Sequence, residues 1–157
     1  MQRHLNYRRS EKGARRFNAL RADQGHTPVT EFQFATMSAT RLMAKAEVHG
    51  LMGERHIPDR LVTQGLVMGL FMTDLIDAAK VGLQIGLHTN PPCGPTMALR
   101  ALRSPTDLCA RLGHTPDQYT YPYRALRDYP LSGAESTVAV VRTATLQKAV
   151  NRLQVSA

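Results

Sequence analysis

The chain has no tryptophan, two cysteines and four phenylalanines in 157 residues. Two cysteines are too few for a disulfide scaffold, so apolar burial must hold the fold, and a reducing cytoplasm suits such cysteine usage. Long apolar runs are missing as well. The apolar stretch Leu66–Met72 sits in an uncharged run that extends only from Leu61 to Thr73, short of the roughly 20 residues a membrane helix needs. The N-terminus is basic with no apolar segment behind it. That excludes a secretory signal pattern, although Arg-rich, acid-poor composition would suit a mitochondrial presequence.

Acidic residues are scarce at the start. Residues 1–21 hold Arg3, Arg8, Arg9, Lys12, Arg15, Arg16 and Arg21 against Glu11, a net charge of +6. Residues 22–157 hold 13 basic and 11 acidic side chains, contributing only +2 of the total +8. The sequence therefore reads as a basic N-terminal arm, 1–21, on a nearly neutral domain, 22–157. Such an arm suits a polyanion, and nucleic acid is the commonest one. Arginine, which dominates it, holds phosphate bidentately and stacks on bases. The competing explanation is a solvated tail. Ala14, Phe17 and Leu20 recur at helical spacing with Arg8, Lys12, Arg15 and Arg16 elsewhere on the wheel. Gly13 interrupts the thin apolar face, which argues against a membrane-surface helix.

The pattern of residues 22–157 predicts a mostly α fold, a single helical-bundle-like domain of five or six helices. After the turn Asp23–Pro28, the segment Val29–Phe34 alternates weakly and suits a short strand or an extended lead-in. Ser38 is placed as an N-cap of a helix to about Glu54, with Leu42, Met43, Ala46 and Met52 as its stripe. Pro58 and Asp59 suit the start of a second helix. Leu61, Val62, Leu66, Leu70, Ile76, Ala79 and Leu83 continue it to about Gly86. It is apolar nearly all round near Leu66–Met72, the pattern of a central helix buried by others. The pairs Gly65/Gly69 and Gly82/Gly86 suggest close helix approach, either inside the domain or by self-association through the Gly65/Gly69 helix. Short helices are expected at Thr96–Arg103 and Pro105–Leu112. A last helix opens at the capping-box spacing Ser132–Glu135 and runs to about Val155, with Leu146, Val150 and Leu153 on one face. Its β-branched stretch Thr137–Thr145 could instead begin as a strand. No alternation of strands and helices supports a Rossmann-type sheet.

Few constellations carry chemistry. Leu20–Pro28 and Leu108–Pro116 match at six of nine positions, both reading as helix end, glycine cap, threonine N-cap and proline in the next first turn. The second copy has a helix-turn-helix flavour around Gly113 and His114, but Pro122 would cut its recognition helix short. Tyr119, Tyr121, Tyr123 and Tyr129 lie among Arg124 and Arg127; they could stack on unpaired bases or bury their rings under a loop. His88, Cys93, Cys109 and His114 have zinc-type donors at wide spacing, with an inert buried Cys109 as the simpler explanation. Asp74 and Asp77, followed by Lys80, read as a solvated face. His49 and His56 have no acidic partner at motif spacing. No catalytic residue, metal or cofactor is assigned, since no phosphate loop, nucleophile elbow or zincin motif is present.

These features lead to a non-enzymatic subunit of a nucleoprotein assembly, such as a small subunit of an RNA-guided complex. Its partners would be RNA or single-stranded DNA and other protein subunits, with no membrane. Its nucleic-acid-binding residues would be the seven arm cations with Arg100, Arg103, Tyr121, Tyr123, Arg124 and Arg127. The alternatives are a helix-turn-helix-like DNA-binding regulator and a structural or virion interaction protein that binds no nucleic acid.

Overall fold

A computed structural model describes residues 7–54, 56–89 and 134–155, together with Tyr123 and Leu126. Among them five α-helices follow in order: α1 (Tyr7–Asp23), α2 (Glu31–Leu51), α3 (Asp59–Val67), α4 (Met72–Thr89) and α5 (Ala134–Val155). No strand occurs among the described residues, and the fold is the all-helical one expected. No helix among them is long and apolar enough to cross a membrane.

Three helices end on a glycine in the left-handed region: Gly25 at φ 72°, Gly53 at φ 78° and Gly69 at φ 85°. Each end shows the same pair of reversed bonds. After α3 the Gly69 N–H donates to the Leu66 carbonyl at 3.1 Å and the Leu70 N–H to the Gly65 carbonyl at 2.9 Å. These bonds satisfy carbonyls that the helix leaves orphaned, and only glycine takes the left-handed position at no steric cost. Gly25 is the cap its sequence context predicts, but the threonine that starts α2 is Thr30 and not Thr27. The Thr30 hydroxyl accepts from the Gln33 N–H at 3.2 Å, and the Gln33 side chain accepts from the Thr30 N–H at 2.9 Å. This capping box pulls the helix start back to Glu31, so Val29–Phe34 is not a strand and Ser38 lies inside the helix.

The long second helix expected from Pro58 to Gly86 is two helices. The cap at Gly69 breaks it, and α4 restarts with the Asp74 carboxylate accepting from the Phe71 N–H at 2.8 Å. Asp74 is thus buried at the start of α4 and is not part of a solvated face. The predicted central helix is a corner instead: Leu66, Val67, Phe71 and Met72 are 57%, 37%, 45% and 52% exposed.

The core lies around α2. Ala35, Ala39, Leu42, Met43 and Ala46 pack with Leu61, Leu70, Leu75 and Ala78, and with Tyr123, Leu126 and Val138. A second cluster joins Ala44 of α2, Val81 and Ile85 of α4, and Leu146 and Val150 of α5. The helix expected over Thr137–Thr145 is present, with Leu146 and Val150 on its buried side.

α2 and α4 cross with backbones in contact. A Cβ on Gly50 would stand 1.8 Å from the Ala79 carbonyl oxygen, and one on Gly82 would stand 1.8 Å from the Glu47 carbonyl oxygen. At Gly86 the nearest atom, the Leu51 carbonyl oxygen, would be 2.7 Å away. The Gly82/Gly86 pair is therefore an internal contact. Gly65 is likewise internal, with Leu75 against it, and Gly69 is a turn residue, so neither member of that pair is free to seat a second helix.

Gly50→Ala and Gly82→Ala should each destabilise the fold by about 3 kcal/mol, since the added methyl meets backbone, and this outweighs the ~1 kcal/mol gained in helix propensity. Gly86→Ala should cost less than either. Urea titrations followed by circular dichroism check the ranking.

Candidate functional site

Two polar constellations stand out among the described residues: the outer face of α1 and a buried cluster between α2 and α5. α1 is anchored by its inner face. Ala14 is buried. A Cβ on Gly13 would meet the Phe34 ring at 2.7 Å, so this glycine is the seat for Phe34 and not an interruption. The Phe17 and Phe34 rings lie 5.6 Å apart, tilted at 47°, an ordinary aromatic pairing. Asn18 then clamps the chain ahead of α2. Its Nδ2 donates to the Val29 carbonyl at 2.8 Å, and its Oδ1 accepts from the Val29 N–H at 2.9 Å. Arg21 donates from Nε to the Thr27 carbonyl at 2.8 Å and lies over the Phe17 ring at 5.5 Å. One of the seven arm cations expected to bind nucleic acid is therefore engaged in the fold.

The opposite face is solvated. Lys12, Arg15 and Arg16 are exposed. Arg15 pairs with Glu11 at 3.0 Å, an exposed i, i+4 bridge of little energetic weight. Lys12 and Arg16 have no ion pair among the described residues. Arg8 and Arg9 lie in the same helix, α1, while Arg3 lies outside the described residues. At about 1.5 Å per residue, the cations from Arg8 to Arg16 span roughly 12 Å of helix. Leu20, at helical spacing from Ala14 and Phe17, is 64% exposed and takes no part in anchoring.

No local sequence pattern predicts the buried cluster. Glu47 is fully buried on α2, and both its carboxylate oxygens accept from Arg142 of α5, Nε to Oε1 and Nη2 to Oε2, each at 3.0 Å. The Arg142 side chain is 14% exposed. Its guanidinium also lies over the Tyr123 ring at 5.3 Å. Burial works against the charge on Arg142, but Glu47 and then Tyr123 raise its pKa overall. Burial pushes the Tyr123 phenol well above its ordinary pKa, and Glu47 adds to this, while Arg142 pulls the other way. The Tyr123 hydroxyl makes no hydrogen bond among the described residues, yet it stands near enough to feel both charges. Only the pairing of residues 95 positions apart reveals this cluster.

Tyr123 is 4% exposed, so its ring serves the core and is withdrawn from any stacking surface. Arg100, Arg103, Tyr121, Arg124 and Arg127 lie outside the described residues, as do Cys93, Cys109, His114 and the Gly113 corner. His88 falls in α4. No group of three or more metal-type side chains occurs among the described residues. His49, which has no acidic partner by motif spacing, meets the Glu54 carboxylate through Nδ1 where α2 ends. Asp77 pairs with Lys80 on the outer side of α4 at 3.8 Å.

Breaking the buried pair with Glu47→Met leaves Arg142 uncompensated and should cost about 3 kcal/mol or more, whereas Glu47→Met with Arg142→Met should recover most of that loss. A double-mutant cycle by urea unfolding measures the difference. Because the folded-state phenol holds its proton more tightly than the unfolded one, Tyr123 contributes stability that is complete below about pH 10. That contribution falls away as pH rises beyond it, when the unfolded chain ionises first. Tyr123→Phe should flatten the alkaline loss of stability, as read from thermal midpoints between pH 8 and 11. No protein-family model, curated protein or solved structure matches this chain.

Proposed function

We propose that the protein is a non-enzymatic basic subunit of a nucleoprotein assembly that holds nucleic-acid backbone with little sequence preference. The observation that supports this reading is the two-sidedness of α1. Ala14, Phe17 and Asn18 fix its inner face to α2 and its lead-in, while Lys12, Arg15 and Arg16 project outward. A rigid helix that presents cations loses little conformational freedom when phosphates bind, unlike a free tail. Its grip is electrostatic and sequence-independent, because phosphates carry no base information.

RNA or single-stranded DNA is the partner proposed. The interaction would rest on phosphate contacts from α1, since Tyr123 is committed to the core. The site need not act alone: Arg100, Arg103, Arg124 and Arg127 would extend it if they share its surface.

Fluorescence anisotropy with labelled single-stranded RNA and DNA, titrated across sodium chloride concentrations, tests the proposal. The wild-type chain should bind both, with an affinity that falls steeply with salt. Lys12→Ala/Arg15→Ala/Arg16→Ala should lower the magnitude of the log–log salt slope by about 2, at roughly 0.7 per phosphate contact on a single strand. The thermal midpoint should stay unchanged, because all three side chains are exposed. Absence of binding at low salt, or an unchanged slope in the variant, would overturn the reading.

A further inference from the structure

α2 carries two cations of its own, Arg41 and Lys45, and both are exposed. They stand at i and i+4, where helical side chains are neighbours about 5–6 Å apart at Cβ, so each charge works against the other and against the helix. Neither has an ion pair among the described residues. The two acids of α2 lie elsewhere: Glu47 is buried on Arg142, and Glu31 stands almost three turns before Arg41, at the start of the helix. A repulsion that the helix leaves unanswered suits an anion from outside.

Phe34 fixes where these cations lie. Phe34, Arg41 and Lys45 follow at i, i+7 and i+11, which is one face of a helix. Phe34 is where α1 docks, with the Gly13 backbone and the Phe17 ring against it. α1 runs back along α2 in the opposite sense: Asn18 holds Val29 ahead of α2, while Gly13, more than a turn earlier, meets Phe34 further along it. The first half of α1 therefore runs towards Arg41, which stays exposed about two turns beyond Phe34.

The two flanks of α1 differ in charge. On one, Glu11 and Arg15 pair with each other and line a recess with Asn18 and Glu31. On the other, Arg16 follows Gly13 at i+3 and Lys12 precedes Arg16 at i−4, and both are exposed. One flank mixes both signs. The flank beside Phe34 brings Lys12 and Arg16 of α1 together with Arg41 and Lys45 of α2.

We propose that Arg41 and Lys45 complete the phosphate-binding surface of α1, so that a nucleic-acid strand passes along Lys12 and Arg16 and crosses onto α2, leaving a phosphate at each of its two cations. The inference rests on the nucleic-acid reading of α1 and adds a path to it, along the Phe34 side and away from Glu11 and Glu31. Both helices carry their cations on backbone that is already packed, so the path exists before the strand arrives.

Anisotropy titrations of the full chain with labelled single-stranded RNA and DNA, repeated across sodium chloride concentrations, test it. Arg41→Gln/Lys45→Gln should lower the magnitude of the log–log slope by about 1.4, at roughly 0.7 per phosphate contact, and each single substitution by about half as much. The thermal midpoint should not fall, because a repelling pair is removed. Arg60→Gln/Lys148→Gln removes two exposed cations from α3 and α5 and should leave the slope unchanged. The single substitutions carry the test if the double variant fails to fold. Wild-type binding that weakens in the Lys12/Arg15/Arg16 variant but keeps its slope in the Arg41/Lys45 variant would overturn the path and leave the α1 reading standing. Equal losses from the Arg41/Lys45 and Arg60/Lys148 variants would overturn the path in favour of net charge alone. Absence of wild-type binding, or an unchanged slope in the α1 variant, would overturn both.

Discussion

Everything in this fold hangs on the place where α2 and α4 touch without side chains between them. Gly50 and Gly82 each leave room for a carbonyl oxygen of the other helix. The contact fixes both the distance and the crossing point, because backbone cannot shift rotamer to relieve a misfit. Glu47 stands at this junction in two capacities. Its carbonyl oxygen faces Gly82, and its carboxylate holds Arg142 of α5. The position of the third helix thus follows from the packing of the first two. A carboxylate this deep survives only because a fork of two charge-assisted hydrogen bonds answers both its oxygens.

Much of the helical content is legible because local rules write it. Leu42, Met43 and Ala46 on α2, and Leu146 and Val150 on α5, recur at helical spacing and are all buried. Gly25 announces a cap and is one. The departures have physical causes. Phe32 and Phe34 alternate as in a strand, yet the Thr30–Gln33 capping box overrules two residues of alternation. Leu66–Met72 suggests burial by hydrophobicity alone, but apolar residues flanking a left-handed glycine take whatever direction the reversal imposes.

The candidate site divides along the same line. The charge of α1 is a compositional fact, and its solvated face is where cations of an anchored helix must go. The anchor itself is hidden from the sequence. Asn18 and Val29 are 11 positions apart and belong to no motif; their pairing depends on the turn between them. The Glu47–Arg142–Tyr123 cluster is hidden more thoroughly. A glutamate inside an apolar stripe and an arginine in a β-branched segment look ordinary until the chain brings them together. The sequence leaves Tyr123 open between a stacking surface and a buried ring, because the arginine that packs over it, Arg142, is distant in sequence and not one of its neighbours Arg124 and Arg127.

The Asn18 amide bears on how motion would travel through the molecule. By bonding both the N–H and the carbonyl of Val29, it acts as a short rung of sheet-like pairing between a helix side chain and the residue just before the Thr30 cap. A load applied to the outer face of α1 is therefore delivered to the first turn of α2, the helix around which the core is built. α1 is geared to the body, and whatever pulls on its cations pulls on the start of the central helix.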